Sequence, residues 1–210
     1  YITWIYGQLE ANRESLNMIE NKLVSANSVF PELSLFDCYA CHHEMSDLKW
    51  TAIKGQGSKP GTVRLNDGNF KMLLAIATNT PLFTGLHQHL NKLRNSLNNK
   101  KQLTAVVASL HGDIEKIQTL IAQQAPAERK LSAASILHKI LTIGAKGGFS
   151  DYIAAEQAVM AIDLLIHYID MKKAHEADIT ELFNLVKNDE KYDALLFAEK
   201  LRKINNKLIL

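Results

Sequence analysis

Proline is scarce in this sequence. Only Pro31, Pro60, Pro81 and Pro126 interrupt 210 residues, and because proline is the strongest helix breaker, its rarity leaves long stretches free to run as helix. Strand signals are nearly absent as well. No uninterrupted apolar run approaches the roughly 18 residues that span a bilayer. The longest, around Ile162 to Ile169, is broken by Asp163 and His167, so no membrane-spanning segment is expected. An excess of one charge is also missing: 24 basic residues face 22 acidic ones. Both signs are scattered along the chain, with no basic stripe of the kind that tracks a phosphate backbone, so nucleic acid is not an expected partner. Neither a glycine-rich phosphate loop, nor a nucleophile elbow, nor a His-Glu-x-x-His motif is found. The acidic residues fall mainly on what read as solvated helix faces. An enzyme acting through its own side chains is therefore not the expectation.

What is present is an ordinary globular composition, 47% hydrophobic and 22% charged, enough to bury a sizeable core in one domain or one domain with an appendage. The sequence opens at Tyr1 without a Met and without a leader pattern, as expected of a processed mature chain or a piece of a longer one. Ile5, Leu9, Leu16, Ile19 and Leu23 recur at helical spacing, predicting a first helix from about Ile2 to Val29 that Phe30-Pro31 stops. The stretch Leu35 to Asn69 has no clear periodicity and contains a run of punctuation from Lys54 to Gly61. A loop this long inside a compact domain is more often functional than idle.

Beyond it, Asn69 to Ala77 reads as helix, and Thr80-Pro81 starts another that runs to about Asn98. Leu103, Val107, Leu110, Ile114, Ile117 and Ile121 form an apolar stripe that ends before Pro126. A helix from Ala127 to Ala145 closes on Lys146-Gly147-Gly148. Ser150-Asp151 caps a helix from Tyr152 to Lys172, and Asp178 to Leu208 reads as one or two more. The expected fold class is all-α, an antiparallel helical bundle with one irregular loop segment. Its expected organisation is an N-terminal helix over 1–30, an irregular segment over 31–69 and a helical bundle over 70–210.

The two cysteines of the chain both lie in that irregular segment, as Cys38-Tyr39-Ala40-Cys41-His42. This is the Cys-x-x-Cys-His pattern of covalent haem c attachment. Two thiols three positions apart can each add to a vinyl group on one porphyrin, and the adjacent His42 then lies under the iron as an axial ligand. Three other readings compete. A thioredoxin-like redox pair needs a βαβ setting, which the sequence does not offer. A structural zinc site needs four ligands, and although His43 and a distant histidine could complete a set, the usual second ligand pair is missing. A disulfide across so short a loop stabilises little. The pattern thus assigns one covalent haem c to Cys38, Cys41 and His42. Attachment of this kind occurs where exported chains mature, so a periplasmic or otherwise extracytoplasmic setting is expected.

The run Phe36-Asp37-Cys38-Tyr39-Ala40-Cys41-His42-His43-Glu44-Met45, then Trp50, then Gly57-Ser58-Lys59-Pro60-Gly61, resembles the last haem-binding segment of bacterial multihaem cytochromes related to the cytochrome c554 type. A pattern like Ala155-Glu156-Gln157-Ala158-Val159-Met160-Ala161-Ile162 in a helical tail is similar too. The resemblance covers the middle third by motif and the rest by helical character. It implies a c-type cytochrome in single-electron exchange with a redox partner protein, another cytochrome among the candidates. A multihaem chain would carry several such motifs and this one carries a single copy, so it reads as a one-haem relative or the haem-bearing end of a longer protein.

The ligand opposite His42 decides whether such a haem passes electrons or binds small molecules. His43 and Met45 lie too close to His42 to reach the far face. His167 shares a helix face with Met160, Leu164 and Met171, and His111 stands at the edge of its apolar stripe, so these two are the candidate distal iron ligands. For each of these two, as for His87, His89 and His138, a core or surface histidine is the simpler reading, and His175, within Lys172-Lys173-Ala174-His175-Glu176, reads as solvated. Tyr39 and Trp50, with Phe36 and Phe70, are expected to wall the haem or to be core, and Arg64 and Lys59 to meet its propionates or to be solvated. A ligated sixth position means electron transfer; an open one means binding or sensing of carbon monoxide, nitric oxide or oxygen. A third role, in which the haem merely holds the loop segment against the bundle, is left open.

Overall fold

The computed structural model describes residues 1–25, 33–36 and 65–208. Among the described residues eight α-helices follow one another: α1 Ile2–Ile19, α2 Gly68–Ile76, α3 Thr80–Asn95, α4 Lys100–Ala122, α5 Arg129–Ala145, α6 Tyr152–Tyr168, α7 Lys172–Leu185 and α8 Ala194–Lys207. The fold is an all-α bundle, and the only extended pairing among the described residues is an isolated antiparallel bridge between Phe36 and Leu65. The first helix is shorter than its periodicity suggests. It gives way after Ile19 to a turn of π-helix over Glu20–Ser25.

The boundaries follow from local chemistry. Asp151 caps α6, its Oδ1 accepting from the Ala154 N–H at 2.7 Å. At α3 the cap is Asn79 rather than Thr80: its side chain accepts from the Leu82 N–H at 3.3 Å, and Pro81 sits in the first turn, where no amide is needed. At the end of α5, Gly147 takes φ +81°. Gly148 N–H reaches back to the Ile143 carbonyl at 3.0 Å and Gly147 N–H to Gly144 at 2.8 Å, a Schellman closure that requires the left-handed residue. At the end of α6 the same closure is made by Asp170, at φ 63°, with Met171 N–H on the Ile166 carbonyl at 2.9 Å.

The buried apolar residues form one continuous core from Ile5 to Leu208. The short α2 is central: it packs on α1, α3, α5 and α6, and all but one of its residues are buried. A helix of this length is marginal alone, so its stability comes from this packing. Close approach is permitted by small residues, since a Cβ at Gly68 would stand 3.2 Å from the Ala154 nitrogen.

Contacts between helices set their directions. The Tyr1 hydroxyl donates to Gln124 Oε1 at 3.0 Å and Arg13 reaches Gln118, so α1 runs antiparallel to α4. Asn12 donates to the Asn69 carbonyl at 3.1 Å and Gln8 to Gln157 at 3.3 Å, so the middle of α1 lies beside the first turns of α2 and α6. Five helix ends therefore share one end of the bundle: the end of α1, the starts of α2, α4 and α6, and the end of α3. At the opposite end Tyr1 packs on Tyr168, ring centroids 5.0 Å apart.

Candidate functional site

Cys38, Tyr39, Cys41, His42 and Trp50 lie outside the described residues, as do His43, Met45, Lys59 and Arg64. What is described is the pair of ends between which residues 37–64 run. A 3-10 turn over Leu33–Leu35 leads to Phe36, which bridges Leu65, and the Asn66 N–H donates to the Leu35 carbonyl at 2.8 Å. Leu35 and Leu65 are both buried in the core and Phe36 is half-buried. The motif thus begins two residues beyond an anchored backbone pair. Phe70 is fully buried in α2, as a core residue.

Immediately after this anchor stands a buried charge network. Asp67 accepts from Arg94 Nε at 2.7 Å and Nη2 at 2.6 Å, and Lys71 Nζ lies 3.4 Å from Asp67 Oδ1 while also pairing with Asp151. Lys71 is only 4% exposed. Burial alone would push the Asp67 carboxyl up; the charges of Lys71 and Arg94 and their hydrogen bonds outweigh it and hold the group below its ordinary range. Burial would likewise lower Lys71, and the carboxylates of Asp151 and Asp67 raise it instead. These acids do not lie on a solvated face. Buried Asp67, Asp113 and Asp178 all depart from that expectation, because each has a partner from a distant part of the chain: Arg94, His89 and Lys200 in turn.

The structure separates the two candidate distal ligands. His167 is exposed, about 22 Å along α6 from Tyr152 by helical rise, beside Tyr168 at the Tyr1 end of the bundle. The face it shares with Met160 is turned outward, Met160 being 46% exposed. His111 is half-buried. It lies two helical turns from Gln118 on the same stripe of α4, which faces α1, and antiparallel packing carries that stripe toward the π turn at the end of α1. His87 and His138 are exposed. His175 is not solvated: it is 6% exposed, with Nδ1 3.5 Å from Asp178 Oδ2. The α7 stripe of His175, Asp178, Ile179 and Leu182 is the buried one, and its two polar members face the lysines of α8.

One pair escaped the sequence reading. His89 Nδ1 lies 2.6 Å from Asp113 Oδ2, and since a carboxylate only accepts, that nitrogen carries the proton. Asp113 is 2% exposed and also lies 3.5 Å from Lys116. The available signal was an acidic residue at an apolar-stripe position of α4, next to Ile114.

Among the described residues no group of three or more His, Cys, Asp or Glu is placed to hold a metal ion. No described helix is long and apolar enough to cross a membrane. No family model, curated protein or solved structure matches the chain.

Proposed function

We propose that the chain carries one covalent haem c on Cys38 and Cys41, with His42 as an axial iron ligand, and exchanges single electrons with a redox partner protein in an extracytoplasmic, periplasmic setting. The observation that carries this reading is the sequence Cys38-Tyr39-Ala40-Cys41-His42 itself, made from the chain's two cysteines. The donor set fits the group: two thiols at the spacing of two vinyl additions, and an imidazole next to the second. The surroundings support it too. The described residues contain no strand to provide the βαβ setting of a redox dithiol.

When bound, the haem supplies a one-electron iron couple whose potential is set by axial ligand, hydrogen bonding and burial. In this reading Cys38 and Cys41 would hold it covalently, and His42 would ligate its iron. The Phe36–Leu65 bridge and the Asp67–Arg94–Lys71 network hold the two ends of the attachment segment in register. His111 would be the favoured second imidazole, because its stripe of α4 runs toward the end of the bundle where α2 starts, just after Leu65.

A second reading, binding of carbon monoxide, nitric oxide or oxygen, is favoured by one observation. His167, one of the two distal candidates, is exposed at the far end of the bundle. A visible spectrum of the oxidised and reduced protein, a haem-stained denaturing gel and a carbon monoxide titration decide between them. Covalent haem with low-spin bands that carbon monoxide leaves unshifted, lost in His111→Ala and kept in His167→Ala, is the expected result. A ready carbon monoxide shift selects ligand binding. Colourless protein from a host competent in haem c attachment overturns both.

A further inference from the structure

The charges of this chain are not evenly spread. From Gly68 to Gly112 the sequence contains no Asp or Glu, yet it carries Lys71, Lys92, Arg94, Lys100, Lys101 and three histidines. An even spread of the acidic residues would place about five there. Two of the cations are consumed internally, Lys71 by Asp67 and Asp151 and Arg94 by Asp67. The other three are exposed and have no carboxylate partner among the described residues, as is also true of Lys146, Lys173 and Lys187; what sets the three apart is that no acid stands near them in the sequence. Lys100 and Lys101 stand in the first turn of α4, where the helix dipole disfavours cations. Local stability does not account for their placement.

The α3–α4 hairpin brings these features to one surface. Between the two helices lies a groove of about 510 Å³, lined among others by His89, Lys92, Asn95, Gln102, Val106 and Ser109, with no carboxylate in its wall. The nearest acid, Asp113, is buried and engaged by His89 and Lys116. Its hydrogen bond fixes the His89 ring at the groove, with Nε2 unpaired. Lys92 stands in the groove wall, and Lys100 and Lys101 just before Gln102.

We infer that the α3–α4 groove is a docking surface for a carboxylate-rich segment of a partner protein. Charge complementarity argues for this occupant: unpaired lysines and side-chain amides lie around an open trough that also offers Val106 for van der Waals contact. Three free lysines on a chain of net charge +2 are too few to follow a phosphate backbone. The inference stands independently of the haem, because every residue in it lies on α3 or α4.

The test is fluorescence anisotropy with a labelled deca-glutamate peptide on the full chain, at low and at raised salt. The wild type is compared with a groove triple, Lys92→Glu/Lys100→Glu/Lys101→Glu, and a control triple of equal charge change, Lys173→Glu/Lys187→Glu/Lys203→Glu. Binding weakened about tenfold or more by the groove triple and by salt, with the control triple within about threefold of wild type, is expected. A groove-filling Ser109→Trp, which leaves every charge in place, should weaken it as well. Equal losses in the two triples, no peptide binding at low salt, unaltered binding in Ser109→Trp with its helical circular dichroism intact, or tighter binding of duplex DNA through the same lysines would each overturn the proposal.

Discussion

Two charge clusters in this molecule are near mirror images. At the loop-bearing end, one lysine, Lys71, sits between two carboxylates, Asp67 and Asp151, with Arg94 closing the set. Between α7 and α8, one carboxylate, Asp178, sits among Lys200 at 2.7 Å, Lys207 at 3.1 Å and His175 at 3.5 Å. Asp178 and Lys200 are buried too, so the two clusters differ in the access of their outer members to water. Lys71 and Asp67 are both buried, and the cluster joins α2, α3 and the start of α6. Around Asp178, Lys207 is 58% exposed and the second partner of Lys200, Glu181, is equally open. A buried set is unforgiving because removing one member strands the others without solvent; a set at the rim can be rescued by water. The first cluster therefore works as a lock on the end of the loop segment, and the second as a clasp between two helices.

The largest expected effect is at the lock. Lys71→Ala leaves Asp67 and Asp151 without their shared cation and should cost about 3–5 kcal/mol in urea unfolding, little changed by added salt. A loss below about 1 kcal/mol would show that the two clusters are energetically alike. At the clasp, Asp178→Ala should cost about 2 kcal/mol, and here the loss should shrink as salt rises.

The acid limb of stability sharpens the contrast. Burial would raise the Asp178 carboxyl, but its hydrogen bonds with Lys200 and Lys207 bring it down to about 2 from an ordinary 3.8. A depressed folded value means the contribution is complete above the ordinary value and lost as pH falls from there toward about 2. Thermal melts of Asp178→Asn should accordingly be flatter than wild type over that window. An unchanged acid slope would remove Asp178 from the account. The smallest effect is at the exposed edge: Lys207→Ala should change stability by less than about 0.5 kcal/mol, because Lys200 still covers Asp178.

Helices were legible in the sequence where punctuation is local. Asp151 and Gly147-Gly148 mark their ends by their own chemistry, and the apolar stripe of α4 emerges as it reads. Asp170 is a helix end without the customary glycine, so nothing marked it. Long-range pairing was not legible. Nothing in Lys172-Lys173-Ala174-His175-Glu176 announces that His175 is buried, because its burial depends on Asp178 and on lysines more than twenty positions later. The face of α6 was misjudged for a related reason. Met160, Leu164, His167 and Met171 form a plausible apolar stripe, yet α6 buries its alanine-rich side, where Ala154 meets Gly68. Of the candidate site, Cys38, Cys41 and His42 lie outside the described residues, and the scaffold that flanks them was not legible, because Phe36–Leu65 and Asp67–Arg94 are contacts between distant positions.

The bridge between Phe36 and Leu65 has a consequence for how this chain can vary. Closing a loop costs free energy that grows only with the logarithm of its length, so each doubling adds roughly 0.6 kcal/mol. With Leu35 and Leu65 in the core beside the bridge, this closure term alone would tolerate a change of length between positions 37 and 64. The stem positions have no such freedom. The stem is in that sense a fixed socket: the bundle's own core sets where its two sides stand, whatever length of chain runs between them.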